Sequence, residues 1–80
     1  MRQFTMTTTN SLGEIIRSTR VNGKATAEIA ISAKVIEYRA QGFVITNSET
    51  NGMFDAKCYM VVVMKNRTSG EKVNLRYEEN

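Results

Sequence analysis

The chain has 80 residues and a mass of 9.0 kDa, 41% of it hydrophobic and 24% charged, the composition of one small globular domain rather than a disordered segment or a membrane span. Histidine is absent and Cys58 is the single cysteine, which excludes disulfide frameworks, ordinary zinc sites and histidine-based acid–base or triad chemistry. The net charge is +3, too small to announce a nucleic-acid binder by itself.

Residues Arg2 to Thr9 alternate Phe4, Met6 and Thr8 with Thr5, Thr7 and Thr9. That is the pattern of a threonine-rich strand, because β-branched side chains suit the pleat. Asn10-Ser11-Leu12-Gly13 reads as a hairpin loop and Glu14 to Val21 as the returning strand. The Ser11/Glu14 spacing also fits a capping box and a short helix; the hairpin is preferred. Asn22-Gly23 marks a turn. Beyond it Ala25, Ala27, Ile29 and Ile31 alternate as in a strand, whereas Ala25, Ile29, Ala33, Ile36 and Ala40 share one helical stripe. Alanine content, length and the stop at Gly42 decide for a helix over 24–41 with that stripe as its core face.

Phe43-Val44-Ile45-Thr46 is an apolar strand, and Asn51-Gly52 is a two-residue hairpin signal. Phe54 to Lys65 is the longest and most apolar strand, expected in the middle of the sheet. Arg67-Thr68-Ser69-Gly70 turns into a last strand from Lys72 to Glu78. The order is ββαβββ. It predicts an α+β fold over residues 1–80, an antiparallel sheet of four to five strands with one helix packed on one face.

Along the long strand Phe54, Ala56, Cys58, Met60, Val62 and Met64 form an apolar row toward the helix. The alternate row should be polar if solvated, yet it contains Tyr59, Val61 and Val63. The helix is also too apolar, with Ile31, Val35 and Tyr38 nearly opposite its expected core stripe. One helix cannot bury both stripes against one sheet, so these six residues are the candidate partner or oligomer interface. Four basic residues stand against one acid over residues 1–24, and seven against seven thereafter. The candidate basic patch is therefore Arg17, Arg20 and Lys24 around the Asn22-Gly23 turn, joined by Lys57 and Arg76 near Tyr59. In an extended strand Arg17 and Arg20 point to opposite faces, so the three form a rim around the turn rather than a flat groove.

Cys58 lies within the apolar row and is expected to pack as a small hydrophobe. The carboxylates are spread over different elements, and the five glycines are isolated at turns. No metal, cofactor or catalytic constellation is implied, and the expectation is a protein that is not an enzyme. The leading expectation is a small protein-binding or inhibitor-type protein acting as a homo-oligomer, a class common among accessory proteins of phages and other mobile elements. The lone thiol and the lack of a signal-like start point to the cytoplasm, with no membrane partner. The alternative is an RNA- or DNA-binding module using the basic hairpin and the free sheet face.

Overall fold

A computed structural model describes residues 2–51 and 58–80. Its elements run β1 (Gln3–Thr9), β2 (Ile15–Asn22), α1 (Lys24–Ala40), β3 (Phe43–Asn51), β4 (Tyr59–Asn66) and β5 (Lys72–Glu79). The strands form one antiparallel sheet in the order β2-β1-β5-β4-β3. The expected α+β architecture and the ββαβββ order are what the chain adopts. Gly52 of the expected Asn51-Gly52 turn and the start of the expected strand from Phe54, with Ala56 and Lys57, lie outside the described residues; the rest of that strand is β4.

Two loops show why the strands turn where they do. In the β1–β2 loop the Asn10 side-chain carbonyl accepts the amides of Leu12 and Glu14, each at 3.0 Å. In the β4–β5 loop Asn66 does the same for Thr68 and Ser69, at 2.9 and 3.0 Å. Short polar side chains thus stand in for missing ladder bonds. Gly23 starts the helix at φ +90° and ψ 144°, a conformation open essentially only to glycine. Asn22-Gly23 therefore ends β2 and redirects the chain into α1 rather than closing a hairpin.

α1 crosses one face of the sheet from the β2 edge to the β3 edge. Beneath it lies a core of Phe4 and Met6 from β1, Val73, Leu75 and Tyr77 from β5, Val62 and Met64 from β4, and Cys58 and Phe43. Phe4 meets Tyr77 edge-on at 5.5 Å, and Tyr38 meets Phe43 at 5.1 Å, geometries that suit the ring quadrupoles.

Two expectations are corrected. The middle strand is β5, flanked by β1 and β4. A sheet covered on one side needs only alternate apolar residues at its centre, and β5 supplies Val73, Leu75 and Tyr77 with polar residues between them. The helix also faces the other way from its expected core stripe. Ala27 and Ile31 are fully or almost fully buried, with Ala30, Val35 and Tyr38 packed against the same core. Ile29 and Ile36 are each 70% exposed. Ile31, Val35 and Tyr38 are therefore not a free helix surface. The chosen face buries Ala27 and Ile31 completely or nearly so and packs Val35 and the Tyr38 ring against the same core. The rejected face would bury two isoleucines among alanines.

Each edge strand carries one irregularity. The β1–β2 register skips Ile16, and the β3–β4 register skips Thr46. Each extra residue bulges the strand and increases its twist locally.

Candidate functional site

The sheet face away from α1 is the surface that the alternation along β4 singles out. Tyr59, Val61 and Val63 lie on it, each half-buried. Cross-strand pairing sets Val61 beside Arg76 and Glu49, Tyr59 beside Glu78 and Asn51, and Val63 beside Asn74 and Asn47. Thr5, Thr7 and Thr9 continue these rows across β1. The result is a surface rich in β-branched residues, with two valines one strand in from the β3 edge and a polar surround.

Tyr59 is held in place. Its hydroxyl donates to Glu49 Oε1 at 2.8 Å, and the Arg76 guanidinium carbon lies 5.9 Å from the ring centroid. Arg76 itself pairs with Glu78 at 2.5 Å. The bond to Glu49 pushes the Tyr59 phenol above its ordinary range, with partial desolvation adding to it.

The candidate basic residues do not share one face. Arg17 pairs with the buried Thr8, which puts it on the helix side, whereas Arg20 pairs with Thr5 on the free face. Lys24 opens α1 and lines a cleft with Glu28, Ser32 and Tyr77 on the helix side. Arg76 is on the free face, with its charge engaged by Glu78. Lys57 lies outside the described residues. The cause is the two-residue period of a strand, which sends Arg17 and Arg20 to opposite faces.

Cys58 is 3% exposed within the core row. Arg2 spans it: the guanidinium donates to Glu79 through Nε at 2.8 Å and Nη2 at 2.7 Å, and Nη2 also reaches Cys58 Sγ at 3.1 Å. Glu79 Oε1 in turn accepts the Cys58 amide at 3.1 Å. These bonds raise the Arg2 guanidinium further above its already high range, and they tie the N-terminal strand to the C-terminal one. Among the described residues no three carboxylate, cysteine or histidine groups gather as a metal site.

Two apolar surfaces escaped the sequence reading. The first is the outer face of α1, where Ile29 and Ile36 stand among Ala25, Ala33 and Ala40. Beside it a groove of about 320 Å³ runs between α1 and β3–β4, lined by Val35, Ile36, Ile45 and Met60 among others. The second is the β1–β2 hairpin, where Leu12, Ile15 and Ile16 are 83%, 65% and 54% exposed. That loop is fastened to the sheet through Ser11, whose hydroxyl accepts the Lys72 amide at 2.8 Å. The signal for the first was present as the second helical stripe, assigned to the wrong side.

No protein-family model matches this chain, and no curated protein or solved structure matches it either. What the chain does is therefore to be read from these surfaces.

Proposed function

We propose that this chain is a non-enzymatic binding protein of the inhibitor type, which engages another protein through its free sheet face and associates with itself. The observation that carries the reading is the pair Val61 and Val63 beside Tyr59, one strand in from the β3 edge of a sheet face that α1 leaves uncovered. Tyrosine and arginine are the residue types most often found at the energetic centre of protein interfaces. A ring already held by Glu49 and Arg76 loses little freedom on binding. The carboxylates of Glu49 and Glu78 beside that ring favour a protein partner over a phosphate backbone, which they would repel.

The test is affinity purification of the tagged chain from its native cells, identification of the co-eluting protein, and rebinding of that protein in pure form. Val61→Lys and Tyr59→Ala are each expected to weaken rebinding by roughly tenfold or more while circular dichroism stays unchanged. Recovery of nucleic acid instead, with affinity falling steeply as salt rises, would establish the RNA- or DNA-binding module.

A further inference from the structure

We propose that two copies of this chain pair through the outer face of α1, antiparallel and related by a two-fold axis beside Ser32 and Ala33. The proposal specifies the self-association in the reading above and rests on it; target binding through the sheet face is separate.

The first support is exposure. Ile29 and Ile36 are each 70% exposed on a regular helix, directly opposite the buried Ala27 and Ile31. Ala25, Ala33 and Ala40 lie between and beyond them, exposed as well. Small residues around two large ones allow helix axes to approach closely with the large side chains interlocking.

The second support is a symmetry in the sequence itself. Counted outward from the midpoint between Ser32 and Ala33, the exposed face reads Ile36, Glu37 and Ala40 in one direction and Ile29, Glu28 and Ala25 in the other, at matching steps. A two-fold interface must be self-complementary, because the same patch serves both copies. Antiparallel pairing about that midpoint sets Ile29 against the partner's Ile36 and Ala25 against the partner's Ala40. It also opposes the two helix dipoles favourably.

The third support is charge. Glu28 and Arg39 are eleven positions apart in the sequence, hence about 20° apart around the helix, on the same flank of the stripe. Among the described residues neither has an ion-pair partner within the chain, although the Tyr77 hydroxyl donates to Glu28 Oε1 at 3.5 Å. In the antiparallel pair each Glu28 falls within about 3 Å, along the axis, of the partner's Arg39. Glu37, on the opposite flank, is already engaged by Lys34 at 3.0 Å. The groove holding Val35 and Ile45 borders the Arg39 flank, so the apolar surface continues to where the partner helix would rest.

A helix of 17 residues is about 25 Å long, so the contact is at the small end of stable interfaces and the dimer is concentration-dependent. The test is sedimentation equilibrium of the full chain up to roughly 1 mM. A species of twice the 9.0 kDa chain mass is expected. Ile29→Lys and Ile36→Lys should each weaken association at least roughly tenfold, with an unchanged melting temperature at dilutions where the chain is monomeric, since both side chains are then exposed. Glu28→Arg and Arg39→Glu should each weaken it, and the two together should restore it. Chains with Ala25→Cys mixed with chains carrying Ala40→Cys should form the mixed disulfide. Ala25→Cys alone should not cross-link, because its two copies lie about 22 Å apart in this arrangement. A monomer at every concentration, a dimer indifferent to Ile36→Lys, or cross-linking of Ala25→Cys with itself would overturn the pairing. A monomer that still binds its target through Val61 removes the helix pairing and leaves the binding-protein reading standing. A dimer broken by Val61→Lys but not by Ile36→Lys moves the self-contact to the sheet.

Discussion

Ile29 and Ile31 are two positions apart on one helix, and their environments are opposite: 70% against 2% exposed. Truncation should separate them cleanly. Ile31→Ala leaves a cavity under the helix and is expected to cost about 2–4 kcal/mol, whereas Ile29→Ala in the monomer should stay within about 0.5 kcal/mol. Urea unfolding of both variants at low protein concentration measures the difference. Tyr77 offers a different probe. Burial pushes its phenol above the ordinary range, and the Glu28 carboxylate, 3.5 Å from the hydroxyl, pushes the same way. A phenol whose folded pKa is raised stabilises the fold while it is neutral. That contribution is complete below the ordinary value near pH 10 and is lost as pH rises through the folded value. The wild-type chain should therefore lose stability above pH ~10 more steeply than Tyr77→Phe, as read by denaturant midpoints across that range. Equal slopes would mean that Tyr77 titrates as if exposed.

At the level of elements, how much could be read in advance depended on the periodicity. Alternation made β1 legible as a strand and identified the inward face of β4, because a strand has two faces and the apolar residues choose one; the last strand was read as a strand without an inward face. The helix was legible as a helix but not in its orientation. Two apolar stripes on opposite sides satisfy the same spacing rule, and the choice between them depends on side-chain volume against a sheet that local sequence does not display. The free-face position of Tyr59, Val61 and Val63 was readable for the reason β4 was. The opposite faces of Arg17 and Arg20 were readable from the same alternation, because an odd separation along a strand reverses the side. Gly23 shows the link from residue to element. Its φ of +90° and ψ of 144° connect β2 to α1, with its amide bonded to the Arg2 carbonyl at 2.7 Å. Gly23→Ala meets no close atom, the nearest being Thr26 Oγ1 at 3.9 Å, so its cost is backbone strain alone, about 1–3 kcal/mol. A thermal melt that matches the wild type would show that the turn relaxes without penalty.

For the molecule as a whole, the first and last strands lie side by side at the centre of the sheet, and Arg2 and Glu79 clamp their ends. The two outermost strands, β2 and β3, are those joined by α1. Neither has a further strand beside it among the described residues, and each contains one skipped position, Ile16 in β2 and Thr46 in β3. At Thr46 the side-chain hydroxyl donates to the Val63 carbonyl at 3.3 Å. A regular outer strand is a template on which another molecule's strand can add, and the addition regenerates the template. Interrupting the row of donors and acceptors on both margins removes that template. Deleting Thr46 should restore an even margin, and thioflavin fluorescence is expected to rise during incubation of the variant while the parent chain stays dark. If both stay dark, the margin is guarded by something other than its bulge. Growth by strand addition has no natural terminus, whereas pairing across a two-fold is complete at two. The offset margins oppose the kind of assembly that does not end.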